Sequence, residues 1–152
     1  MKLGIVAVGK RMPGWVDAGI DEYAKRLPPY WRFKLVEVPA VANGEVEKRK
    51  AREGEALLSS STNTYRVALD ERGRCHDTAA CAARLEHWQG LGRDVALLIG
   101  GADGLHADVL AAADETWSLS ALTFPHPLVR VILVEQLYRA QSLLSGHPYH
   151  RA

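Results

Sequence analysis

Apolar residues recur along this chain in two rhythms, and the alternation between them outlines a fold. Lys2 to Val8 is a short, β-branched apolar run closing at Gly9, the pattern of a buried strand. From about Trp15 to Leu27 the period lengthens: Val16, Ile20, Tyr23 and Leu27 fall on one helical face, and Pro28-Pro29 stops the helix. Phe33 to Val38 predicts a second strand, ended by Pro39. Residues 41 to 60 are charged before turning apolar at Ala56, Leu57 and Leu58, which predicts a surface helix entered near Asn43-Gly44.

The same alternation continues. Arg66 to Asp70 predicts a third strand, and Asp77 caps a helix that carries Cys81, Leu85 and Trp88 inward until Gly90 and Gly92 end it. Asp94 to Ile99 is an almost unbroken apolar run, as expected of a strand covered on both faces, and it stops abruptly at Gly100-Gly101. A helix over about 107 to 116, a strand over Trp117 to Phe124 and a long helix over about Leu128 to Ser145 complete the chain, with Gly146 and Pro148 closing the last. The order β-α-β-α-β-α-β-α-β-α argues for a three-layer α/β/α fold around a mainly parallel sheet.

Length makes this one domain, residues 1–152. With 47% apolar and 24% charged residues the chain can bury one contiguous core, which sets aside disordered and fibrous classes. No apolar run approaches the roughly 18 residues that span a bilayer, so a soluble, unprocessed protein is expected. Cys75 and Cys81, with five residues between them, match neither a disulfide framework nor a Cys-x-x-Cys site, and read as reduced thiols of a cytoplasmic protein. The net charge of +1 conceals an asymmetry. Residues 1–76 hold 14 Lys+Arg against 10 Asp+Glu, and all six lysines lie at or before Lys50. Such clustering is either a phosphate footprint or a set of solvated helix faces.

In an open α/β sheet, ligands bind beyond the carboxyl ends of the strands, so the loops after Leu69, Ile99 and Leu122 are the places for chemistry. Gly100 and Gly101 allow either a tight strand-to-helix turn or a close backbone approach to a ligand. No G-x-G-x-x-G or G-x-x-x-x-G-K-[ST] occurs, so neither a standard dinucleotide site nor a phosphate loop is supported, and no G-x-S-x-G elbow is present. The six histidines form no metal-ligand pattern, and no metal is expected. Pro125-His126-Pro127 rigidifies a helix entry, placing His126 and Arg130 one turn apart at a positive helix end. That corner either attracts an anion or simply exposes an arginine. The tail from His147 to Arg151 is a frayed end or a set of stacking and phosphate-binding groups, with Tyr149, His150 and Arg151 at its centre.

Five segments together carry a resemblance: Met1 to Lys10, Leu98 to Leu105, Leu119 to Arg130, Glu135 to Ala140 and His147 to Arg151. The chain resembles, over its whole length, the RlmH family, bacterial SPOUT-class methyltransferases acting on large-subunit ribosomal RNA. The position of Gly-Gly about 25 residues before the Pro-His-Pro turn, with the Tyr-Arg-Ala helix and Pro-Tyr-His-Arg end following, makes the likeness specific. It implies a C-terminal trefoil knot, S-adenosyl-L-methionine as methyl donor, and N3 of a pseudouridine as acceptor. It places Leu69, Gly100, Gly101 and the run Leu119, Ser120, Ala121, Leu122, Thr123 and Phe124 around the donor. It also implies a homodimer whose site is completed by the partner's tail, and large-subunit ribosomal RNA, within assembled ribosomes, as substrate. His126 is then the candidate for positioning or proton removal. Arg130, Arg139 and Arg151 are candidates for holding phosphates or the developing negative base, and Tyr149 and His150 for packing on the extruded nucleotide. Glu135 pairing with Arg139 is an equal structural reading. Ala102-Asp103 departs from the family's usual Pro or Ser followed by another polar residue. Two other classes stay open: a doubly wound nucleotide-binding enzyme, and a non-catalytic ribosome- or RNA-binding module.

Overall fold

The computed structural model describes residues 1–150. Five strands, β1 (Leu3–Val8), β2 (Lys34–Val38), β3 (Tyr65–Cys75), β4 (Val95–Ile99) and β5 (Glu115–Ser118), alternate with helices α1 (Gly14–Ala24), α2 (Val46–Ser59), α3 (Thr78–Gln89), α4 (Ala107–Ala112) and α5 (His126–Ser145). The strands form one parallel sheet in the order β2-β1-β4-β3-β5.

Residues of the inner strands alternate between two cores. Leu3, Ile5 and Ala7 of β1 and Val95, Leu97 and Ile99 of β4 pack with Val16 and Ile20 of α1, Leu85 and Trp88 of α3, and Leu133 and Leu137 of α5. Val6, Val8, Ala96 and Leu98 face the other way, onto Leu57 of α2 and Val109 of α4. Both faces of the sheet are therefore covered, which is why β4 has no polar position. The result is three layers, with α5 lying between α1 and α3. Each fully buried Leu or Val contributes about 1.5–3 kcal/mol by leaving water.

Several boundaries move. Residues 117–124 do not form one strand: β5 starts earlier and ends at Ser118, and Leu119 to Phe124 is irregular loop. The Ser118 hydroxyl donates to the Ser120 carbonyl (2.9 Å) and the Leu122 N–H donates to Ser120 Oγ (3.0 Å). These local bonds compete with the sheet ladder and turn the chain away from β3. The helix expected to reach 116 stops at Ala112, and α5 begins at His126, two residues early, because a proline fits a helix's first turn. β3 runs on to Cys75 through a register shift between Leu69 and Arg74. Asp77 does cap α3, accepting the Ala80 N–H at 2.8 Å.

Candidate functional site

At the carboxyl ends of β3, β4 and β5 lies a cleft of about 870 Å³. Its floor is the turn after β4. A Cβ built on Gly100 would stand 2.8 Å from the Gly104 carbonyl carbon and 2.9 Å from its oxygen, and one on Gly101 would stand 3.1 Å from Val8 Cγ1. Gly104 N–H donates back to the Gly101 carbonyl at 3.0 Å, with Gly104 at φ +83°. The tight-turn reading is therefore satisfied, and the same turn presents bare backbone to the cleft. Leu69, Gly100, Gly101, Leu119, Ser120, Leu122, Thr123, Phe124 and His126 all line the space, whereas Ala121 does not and is exposed.

The cations around the cleft are matched. Arg72 pairs with Asp70 (3.0 Å), Arg49 with Asp103 (3.1 Å) and Lys50 with Glu47 (3.5 Å). Arg72 beside it holds the Asp70 carboxyl below the usual carboxylate range. With Glu71 also on the lining, carboxylates outnumber cations by one, and the volume and charge suit a small ligand of nucleoside size that carries a positive group.

His126 enters from the first turn of α5. Its Nδ1 is buried without a hydrogen-bond partner. Burial, and then the charge of Arg130, push the imidazole below its ordinary value against the opposing pull of Glu53, so it is neutral at pH 7.

Arg130 requires a correction. It is not an exposed anion-binding corner: the side chain is fully buried, pairs with Glu37, and donates from Nη2 to the carbonyls of Gly9 (2.8 Å) and Val8 (3.1 Å). It fastens the start of α5 to the end of β1, leaving only Nε without a partner. Arg139 is also engaged, donating to Glu135 Oε1 at 2.6 Å from Nη2. Tyr149 donates its hydroxyl to the same oxygen at 3.0 Å and lies 4.5 Å, centroid to centroid, from Tyr138. Burial and the Glu135 carboxylate push the Tyr149 phenol up to about 12. His150 closes the short 3₁₀ turn Pro148–His150, and Arg151 lies outside the described residues.

Among the described residues the group splits in two: His126 and Arg130 share the start of α5, while Arg139 and Tyr149 meet at Glu135. His126 opens α5, whereas the Tyr149 hydroxyl folds back onto Glu135, nine residues further along the helix or roughly 14 Å of rise. Residues 147–149 do not line the cleft of their own chain.

Sequence reading passed over Glu53. It is 6% exposed, accepts the Val41 N–H on Oε2 at 2.9 Å, and places an unpartnered Oε1 3.5 Å from the Cβ position of Gly101. The signal was the pair Glu53-Gly54: a Cβ on Gly54 would come within 2.9 Å of Val109, so that face of α2 points inward. No group of three or more His, Cys, Asp or Glu able to hold a metal occurs among the described residues, and no helix among them is long and apolar enough to cross a membrane.

The family model described as "Predicted SPOUT methyltransferase" matches residues 1–150. Two relatives called ribosomal RNA large subunit methyltransferase H, from Alkalilimnicola ehrlichii and Thioalkalivibrio sulfidiphilus, are 53% and 52% identical over 155 residues. The first covers 100% of both chains and the second 99% of each. A probable methylase family protein from Haemophilus influenzae shares the fold at TM-score 0.64 and 13% identity, over 97% of this chain and 69% of its own. The SpoU methyltransferase AviRb from Streptomyces viridochromogenes does so at TM-score 0.51 and 19% identity, over 96% and 61%.

Proposed function

The chain belongs to the SPOUT methyltransferases, within the ribosomal RNA large subunit methyltransferase H family, and from that premise we propose that it methylates N3 of a pseudouridine in large-subunit ribosomal RNA, using S-adenosylmethionine. The observation that carries this reading is the cleft over the Gly100-Gly101 turn, in a chain more than half identical, end to end, to proteins named ribosomal RNA large subunit methyltransferase H.

The donor fits the residues present. Gly100 and Gly101 form a floor that side chains would fill, and Glu71, in no ion pair among the described residues, leaves the rim with a slight negative excess that suits a sulfonium cation. Gly100, Gly101 and the Leu119–Phe124 loop would hold it, main chain against the adenine edge. When bound, the donor supplies a methyl carbon activated by its sulfonium. The chain's own task is alignment, since an in-line attack gains most from pre-paid positioning. His126, neutral at working pH, takes the imide proton as the acceptor nitrogen attacks, and passes it to solvent.

Because residues 147–149 do not line the cleft of their own chain, the tail serves the cleft of a second copy in a homodimer. There Tyr149 and His150 pack on the extruded nucleotide and Arg151 holds a phosphate, while Arg139 keeps Tyr149 clasped through Glu135. Ribosomes as substrate put the protein in the cytoplasm.

The test is transfer of tritiated methyl from S-adenosylmethionine to ribosomes of cells lacking this protein, with mass mapping of the product. We expect label at one pseudouridine N3. Ribosome binding without label would return the non-catalytic RNA-binding reading. Deleting residues 147–152 is expected to abolish transfer while leaving the circular dichroism spectrum intact; undiminished turnover would remove the tail from the site.

A further inference from the structure

The excess positive charge of the first half of the chain has no role in the donor cleft, where Lys50, Arg49 and Arg72 are each matched by a carboxylate. It reappears beside His126. The loop after β1 begins with Gly9 at φ +113°, where a Cβ would meet Met12 Cε at 3.0 Å and His126 Cε1 at 3.6 Å. The loop therefore packs directly against the imidazole. Arg130 grips the Gly9 carbonyl, and the Gly9 N–H donates to the Val38 carbonyl at 2.7 Å, so the loop's base is fixed from both sides. From this fixed base project Lys10 and Arg11, both exposed and neither in an ion pair among the described residues. Arg11 holds a left-handed backbone, φ +61°, a conformation that costs an L-residue free energy and persists where surrounding structure imposes it. Four residues on, at the start of α1, the Trp15 indole is 58% exposed.

We propose that this loop is the acceptor-side RNA site, with Lys10 and Arg11 holding successive phosphates and Trp15 stacking an unpaired base next to the nucleotide presented to His126. The inference rests on the methyl-transfer reading and supplies what the cleft lacks, a contact for the strand that brings the acceptor. Two uncompensated cations beside an open indole match the chemistry of single-stranded RNA, a line of negative charge with free ring faces.

The experiment is co-sedimentation of the full chain with ribosomes lacking the modification, across a potassium chloride series. Because it needs no methyl transfer, it is read whether or not the donor reading holds. Donor affinity is followed separately by calorimetry. For the double variant Lys10→Ala and Arg11→Ala we expect the slope of log affinity against log salt to become shallower by about 2, with donor affinity unchanged. Trp15→Ala should weaken ribosome binding about fivefold or more, and Trp15→Phe should restore most of it. An unchanged salt slope in the double variant, with native donor affinity, overturns the proposal. So does a Trp15→Ala chain that sediments at a lower mass than the native protein, which would assign the indole to a contact between copies. Native protein that binds ribosomes with the expected slope yet transfers no methyl would count against the methyl-transfer reading and leave the RNA contact standing.

Discussion

At Gly100 one methyl group separates a closed turn from a broken one. The neighbours that a Cβ would meet are backbone atoms of Gly104, which cannot rotate aside. We expect Gly100→Ala to lower stability to urea by about 1–3 kcal/mol, the usual cost of overpacking, and to abolish donor binding in calorimetry. Gly101→Ala should be milder, because its neighbours are the side chains of Val8 and Glu53. This pair was legible in the sequence, since two glycines directly after a buried strand mark a point where side chains would obstruct the turn. Arg130 was not. An arginine in the first turns of a helix reads as solvent-facing, and its burial is set by Glu37, which lies 93 residues away in the chain. Glu53 was hidden for the same reason: residue type says a carboxylate belongs outside, and only the packed loop above it says otherwise.

Two ion pairs tie elements together. Glu37 on β2 neutralises Arg130 on α5, and removing it strands a fully buried guanidinium whose remaining partners are carbonyls. Glu37→Gln should cost about 3 kcal/mol in urea unfolding. Glu115 on β5 joins β3 and α3 by accepting from Tyr65 (2.8 Å), Arg84 (2.7 Å) and Trp88 (2.8 Å). Burial alone would raise its pKa, but bonds from Arg84, Trp88, Trp117 and Tyr65 outweigh burial and hold the carboxyl at about 2, below its ordinary 4.5. A depressed carboxylate stabilises the fold fully above pH 4.5, and that contribution disappears as pH falls from 4.5 toward 2. Urea midpoints measured across this range should fall in the native protein, and the fall should flatten in Glu115→Gln. Among elements, β1 and β4 were plain from their unbroken apolar runs. The segment after Ser118 was not, because only Leu119 reaches the core while Ala121, Leu122 and Phe124 face the cleft or solvent, and hydrophobicity does not tell these apart.

The proposed cross-subunit site has a direct test at the scale of the whole molecule. A Gly100→Val chain lacks a working cleft, and a chain ending at residue 146 lacks a tail, so each alone should be inactive. Mixed dimers join an intact cleft to an intact tail, and methyl transfer should return when the two are co-expressed; mixing that restores nothing would place tail and cleft within one chain. The three layers were legible from alternation alone. A trefoil knot is an expectation of the resemblance alone, because threading leaves no mark on hydrophobic period. The strand order also sets a timetable for synthesis. As the chain emerges from its N-terminus, β1 has only β2 beside it until residues 95–99 of β4 arrive to fill the middle of the sheet. Nearly two-thirds of the polypeptide must therefore emerge with β1 paired on one edge only, an exposure that gives whatever shields nascent chains a long interval in which to act.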